Sequence, residues 1–230
     1  MKLRAVSLFF VVLAVHATLA APQQSISMDI PVSATVHGQP LHMGRPDYTN
    51  KRGQAFQLTV LKFYIGNVVL HADNGSRHAV GGYTLIDFED EASLRIHLDS
   101  VPKNVYTSMS FIVGVDSVTN ESGPQAGALD PLNGMYWTWA TGYIFFKLEG
   151  TSPSSPQPKN LIEFHIGGYR APYNNIHQVR VDLTAGGITI DIGEWIDSGV
   201  GIDFVTQSSV TDARSAVDIA RRLGGSFHAR

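Results

Sequence analysis

The sequence predicts an all-β protein, an antiparallel β-sandwich with a C-terminal helix. Three observations carry that prediction. Short runs of alternating apolar and polar residues recur along most of the chain, separated by turn residues such as Asp73-Asn74-Gly75. The longest of them, Phe56 to Leu70, is rich in β-branched and aromatic residues. Apolar residues at helical spacing occur only near the end, where Ala213, Ala216, Val217, Ile219, Ala220 and Leu223 follow a capping Thr211 or Asp212 and precede Gly224-Gly225.

Taken in order, Met1 to Ala20 reads as a secretory signal peptide: Lys2 and Arg4 precede an apolar run from Val6 to Val15, and Ala17 to Ala20 supplies small residues for cleavage. That run is too short for a membrane anchor. With no cysteine after the cleavage site, lipid attachment is excluded, so a periplasmic or secreted monomer is expected. The remainder, 21–230, reads as one domain, since its length suits one core and no internal boundary or repeat is apparent.

Ser25 to Val36 alternates imperfectly around Pro31 and is expected to be a bulged edge strand. His37-Gly38-Gln39-Pro40 forms a turn, Leu41 to Met43 a short return, and Arg45 to Gly53 a polar loop with Pro46 and Asp47 among its turn residues. Phe56 to Leu70 changes phase at Gly66-Asn67, which predicts two strands or one bent strand. Tyr83 to Asp87, Leu94 to Leu98 and Tyr106 to Val115 follow as strands. Asp116 to Asn133 has no hydrophobic period and reads as a compact functional loop, not a buried element. Beyond it come an aromatic segment, Gly134 to Lys147, and a Pro/Ser-rich stretch, Thr151 to Lys159, expected to be a mobile surface connection. Three further strands, Leu161 to Ile166, Val179 to Leu183 and Ile188 to Ile192, bring the total to about nine.

Composition narrows the function. Cleavage of the signal peptide leaves fifteen basic against twenty acidic residues, a net charge of −5 instead of −3, without a basic cluster. Nucleic acid and anionic membranes are therefore poor partners. No phosphate loop, His-Glu-x-x-His helix or nucleophile elbow is present, and the acidic run Glu89-Asp90-Glu91 reads as a solvated turn, so an enzyme is not expected.

Metal binding has more support. Of the eight histidines outside the signal peptide, His165 is distinctive because Glu163 to Gly168 embeds it in an apolar strand ending at two glycines. A buried, satisfied histidine and a soft-metal ligand both fit that setting. His42-Met43 pairs an imidazole with a thioether, which suits copper, although adjacent strand residues face opposite sides. Trp137 and Trp139 would share one strand face; an intact indole only donates, so it cannot ligate a metal. Two other readings stay open. Tyr136, Trp137, Trp139 and Tyr143 could form an aromatic platform for a carbohydrate or protein ligand. Asp116, Asn120, Glu121 and Asp130 could bind calcium, though turn chemistry also accounts for them.

Several motifs together resemble one family: Gly114-Val115-Asp116-Ser117, Asn120, Ser122-Gly123, Gly127 to Pro131, Gly134 to Trp139, Gly142 to Gly150 and Phe164 to Gly168, preceded by Tyr48-Thr49-Asn50, Gly53 and Leu61 to Asn67. Across most of the mature chain they are similar to the MbnP-like family. The resemblance implies a periplasmic copper-binding protein linked to methanobactin systems, in which a dihaem peroxidase-like enzyme of the MauG/MbnH type oxidises a tryptophan to kynurenine. Opening the indole would create an aniline nitrogen able to coordinate copper beside histidine. Carried onto this chain, the resemblance points to Trp137 or Trp139 as the modified residue and to His165 as an imidazole ligand. His42 is the expected second imidazole, with His37 and His97 behind it.

Overall fold

The computed structural model describes residues 24–45, 48–138 and 141–230. The expected signal peptide, the turn residues Pro46 and Asp47, and Trp139 lie outside the described residues. Fourteen strands are described: β1 (Ser25–Val36), β2 (Gln39–Pro40), β3 (Tyr48–Thr49), β4 (Ala55–Ala72), β5 (Arg77–Asp87), β6 (Arg95–Pro102), β7 (Tyr106–Val113), β8 (Tyr136–Thr138), β9 (Gly142–Thr151), β10 (Leu161–Gly167), β11 (His177–Asp182), β12 (Ile188–Asp191), β13 (Ser209–Val210) and β14 (Phe227–Ala229). Three short helices accompany them: α1 (Ser117–Glu121), α2 (Ile192–Asp197) and α3 (Val217–Ala220). The fold is mostly β, with a short helix near the C-terminus, as the sequence predicts. That helix is a single turn, shorter than the periodicity from Thr211 suggests, because Asp212 and Ser215 close a separate turn through their own side chains.

Among the described residues, the larger sheet runs β11-β7-β4-β9-β10-β13, with β3 and β5 also on β4 and β8 on β9. The smaller runs β14-β12-β1-β2, with β6 also on β1. Most pairings are antiparallel, but β1 with β12 and β10 with β13 are parallel. β4 is one bent strand: its pairings with β5 and β7 both slip after Gly66, where Asn67 takes φ 51°. The phase change in the sequence marks that bulge. β1 is an edge only in part. Ser25 to Pro31 pairs with β6 alone, whereas Val32 to Thr35 pairs with β12, and β2 joins on the other side at Thr35 and Val36. Its bulge falls between Ile26 and Met28, away from Pro31.

The main core lies between the sheets and includes Ile30, Phe63, Phe111, Phe146, Ile190 and Phe227. Trp195 of α2 is fully buried there, 5.0 Å from Phe146 and 5.5 Å from Phe164 by ring centroids, and its indole N–H donates to the Ile219 carbonyl. Alternation along the strands sends other residues to the opposite face of the larger sheet. Tyr64, between Phe63 and Ile65, and Phe145, before Phe146, belong to a second buried cluster with Met135, Tyr143 and Tyr169. The larger sheet is thus covered on both faces where the loop after β7 folds over it.

Two expectations about loops are corrected. The stretch 116–133 is not wholly unburied, because Asn120 and Leu129 are buried under it. Thr151 to Lys159 is anchored rather than a loose connection: Ser152 and Ser155 are buried, and their hydroxyls donate to the carbonyls of Ala55 and Leu161, each at 2.6 Å.

Candidate functional site

The loop after β7 is organised around two side chains. Asn120 donates from its amide to the carbonyls of Val115 and Asp116, and accepts from the Tyr143 backbone N–H at 3.0 Å. The Tyr143 hydroxyl accepts from Gln125 N–H and lies 3.0 Å from the Leu129 carbonyl, to which it donates. A side chain at Gly142 would sit 2.2 Å from Asn120 Oδ1, and φ there is +75°, so glycine is required. The rings of Tyr136 and Tyr64 pack edge-on against Tyr143, with centroids 4.9 and 5.9 Å away. Burial, then the neighbouring Tyr143, pushes the Tyr64 phenol well above its ordinary range.

The four oxygen-bearing loop side chains are used as follows. Asp116 caps α1, accepting from Thr119 N–H at 2.9 Å, while its other oxygen accepts from the Tyr83 hydroxyl. Burial alone would raise its carboxyl, but the bonds from Tyr83 and Thr119 outweigh that and hold it low. Asn120 is buried and spent on backbone groups, Glu121 is exposed and faces Arg170 at 3.5 Å, and Asp130 accepts from Leu132 N–H. Each side chain thus serves a turn, a helix cap or an ion pair. Among the described residues, no group of three or more His, Cys, Asp and Glu is placed to hold a metal ion.

Trp137 and His165 are brought to neighbouring positions. A β-carbon built on Gly167 would lie 2.7 Å from Cζ3 of the Trp137 ring and 2.6 Å from the Tyr143 carbonyl oxygen. The indole therefore descends onto β10 at a glycine two residues beyond His165. Ile162, Phe164 and Ile166 enter the main core, so His165 lies on the outer face, with its side chain 15% exposed. Its Nε2 is 2.8 Å from Glu149 Oε1 on the adjoining β9, and Lys147 Nζ lies 3.3 Å from that same oxygen. Lys147 also reaches the Gly134 carbonyl, at the entry to the aromatic segment. Burial tends to raise the Glu149 carboxyl, but hydrogen bonds from His165 and Lys147 win and hold it below the usual carboxylate range.

His42 is not brought to this place. It lines a different surface pocket with His37, Arg45 and Tyr48. Gly44 N–H bonds the Leu58 carbonyl, four residues along β4 from Lys62, which lies opposite Lys147 and through it His165. That separation is about 13 Å along the strand direction alone. His37 pairs with Asp197, and His97 lies between Asp29 and Asp99 on the smaller sheet. Sequence reasoning also missed Glu149, Lys147 and Tyr169. The alternation of β9 offered a signal, since Lys147 and Glu149 fall on the same face as Tyr143 and Phe145.

Beside Trp137 lies a mainly apolar groove of about 350 Å³, lined also by Tyr169, Arg170, Pro172 and Tyr173. Tyr136 and Tyr143 do not line it.

Fold and site together define a mostly β protein that gathers aromatic residues and one carboxylate-bound histidine on the outer face of its larger sheet. The family model for MbnP matches residues 25–215. The chain belongs to the MbnP family. A solved structure, MbnP from Methylosinus trichosporium, is similar with a TM-score of 0.58 and 16% identity, covering 82% of this chain and 80% of that one. At that identity the likeness shows a shared fold. A comparison with curated proteins gives no significant match.

Proposed function

We propose that this protein is an exported copper-binding or copper-carrying protein and not an enzyme. Its site would use His165 together with a tryptophan of the 137–139 segment that a dihaem partner of the MauG/MbnH type has oxidised to kynurenine. Membership in the MbnP family supports a copper-related role. One observation carries the assignment to residues: the Trp137 ring seats on Gly167, two residues from His165.

Imidazole suits copper, and His165 offers one ring on the correct face. His42, His37 and His97 lie elsewhere, so among the described residues conventional side chains leave the site short of donors. An aniline nitrogen from a ring-opened tryptophan is a donor of the kind that this arrangement lacks. When bound, copper would supply a soft Lewis-acid or one-electron centre; the chain's part is to hold the imidazole and shelter it beneath aromatic walls.

The test is metal analysis of protein exported together with its dihaem partner, combined with mass spectrometry of the peptide holding Trp137 and Trp139. Copper and an oxidised tryptophan are expected. Copper-free protein with intact indoles beside its native partner would overturn the reading.

The groove beside Trp137 favours a second reading, a periplasmic binding module for a carbohydrate or protein ligand without copper. Under it, replacing Trp137 and Trp139 abolishes ligand binding while metal content stays the same.

A further inference from the structure

Glu149 is placed to do more than neutralise a lysine. Its carboxylate lies diagonally across the β9–β10 pairing from His165, which stands opposite Lys147. Oε1 meets the imidazole Nε2 at 2.8 Å and Lys147 Nζ at 3.3 Å, so one oxygen joins two cationic or proton-bearing groups. An ionised carboxylate can only accept hydrogen bonds. The proton in the short contact must therefore sit on Nε2, and in a neutral ring Nδ1 is then the nitrogen with a lone pair. No described residue hydrogen-bonds Nδ1, and the side chain keeps some exposure.

We propose that Glu149 is a positioning residue: it fixes His165 as the Nε2–H tautomer and presents Nδ1 as the donor atom for a soft metal ion. The metal half of this inference rests on the reading of the previous section; the proton placement does not. Metal-binding histidines commonly donate their second N–H to a carboxylate, which sets the ring's orientation and raises its basicity. Lys147 supports the carboxylate from the other side. Its second contact, with the Gly134 carbonyl, ties the pair to the segment that delivers Trp137 three residues later. The imidazole, its carboxylate and the indole are thereby mechanically connected, although they come from β10, β9 and β8.

The experiment is long-range proton–nitrogen NMR on nitrogen-15-labelled mature protein exported together with its dihaem partner, recorded at alkaline pH without metal and again with Cu(I) alone. The two imidazole nitrogens of a neutral ring resonate far apart, so the protonated atom is read directly. In the wild type, Nε2 is expected to carry the proton in a single tautomer. Glu149→Gln keeps an acceptor oxygen and should retain that tautomer, whereas Glu149→Leu should give a mixture of both. Circular dichroism checks that each variant is folded. Cu(I) should shift Nδ1 of the wild type, and its affinity should fall about 10–100-fold in Glu149→Leu and much less in Glu149→Gln.

A wild-type ring protonated on Nδ1, or a tautomer unchanged in Glu149→Leu, overturns the positioning role. A correct tautomer with neither nitrogen shifted by Cu(I) instead overturns the metal role of His165 and leaves the proton placement standing.

Discussion

Trp137 occupies the volume that any side chain at Gly167 would need, with Cζ3 only 2.7 Å from where a β-carbon would be. The contact is between a rigid ring and backbone, since the Tyr143 carbonyl closes the other side at 2.6 Å. Gly167→Ala should therefore push the indole off β10 and cost about 1–3 kcal/mol, the usual penalty of overpacking. Urea titration measures the loss, and a shift in tryptophan emission reports the displaced ring. An alanine variant with unchanged emission and stability would refute the packing.

Asn120 joins the loop to the start of β9 through three hydrogen bonds. Asn120→Ala strands the buried Tyr143 N–H and the Val115 carbonyl, at a cost of about 1–3 kcal/mol for unmet hydrogen bonds. Amide hydrogen exchange should quicken across 116–133 ahead of the rest of the chain, because the anchor is local.

The side chains of Asp116, Asn120, Glu121 and Asp130, the candidate calcium ligands, are each engaged by a neighbour. Thermal unfolding of copper-free protein with and without added calcium should give the same midpoint, since an ion bound to the folded state would have to raise it. A midpoint that rises with calcium would reinstate the ion.

Burial, and secondly the charge of Arg221, lower the His177 imidazole below its ordinary value. A depressed imidazole favours the native state above the unfolded value of about 6.5. That contribution is lost as pH falls through the folded value, because the unfolded chain then takes up the proton more readily. Stability should drop with acidification in this window, and His177→Gln should flatten the slope measured by denaturant titration at several pH values.

Trp195 links α2 to the carbonyl of Ile219 while filling the main core. Trp195→Phe keeps an aromatic ring but removes that donor and some volume. The lost hydrogen bond should cost about 0.5–1.5 kcal/mol, because Arg222 N–H still reaches the Ile219 carbonyl, and the vacated volume adds to it, seen as a lower denaturation midpoint.

Strands were legible where local pattern decides them. The phase change at Gly66-Asn67 located the bulge of β4, and the alternation of Tyr106 to Val113 became β7. What could not be read was pairing between distant segments. Nothing near Ile188 announces a parallel partner at Val32, and Phe227 to Ala229 is too short to show alternation. The loop looked unburied because its contacts run through one amide and one phenol, Asn120 and Tyr143, instead of an apolar stripe. At the site, the sequence marked His165 by the two glycines that end its strand, and at Gly167 the missing side chain makes room for the Trp137 ring. His42 misled because chemistry suited to copper says nothing about which end of a sheet a residue occupies.

The parallel pairing of β1 with β12 has a bearing on how the chain matures. Ser33 meets its partner strand 155 residues later, at the Ile188 carbonyl. A growing polypeptide thus carries the interior half of β1 without its neighbour until nearly the whole chain has emerged, and contacts this remote in sequence form slowly. The larger sheet has shorter-range hairpins to begin with, so the surface bearing Trp137 and His165 is positioned to take shape before the opposite wall closes behind it.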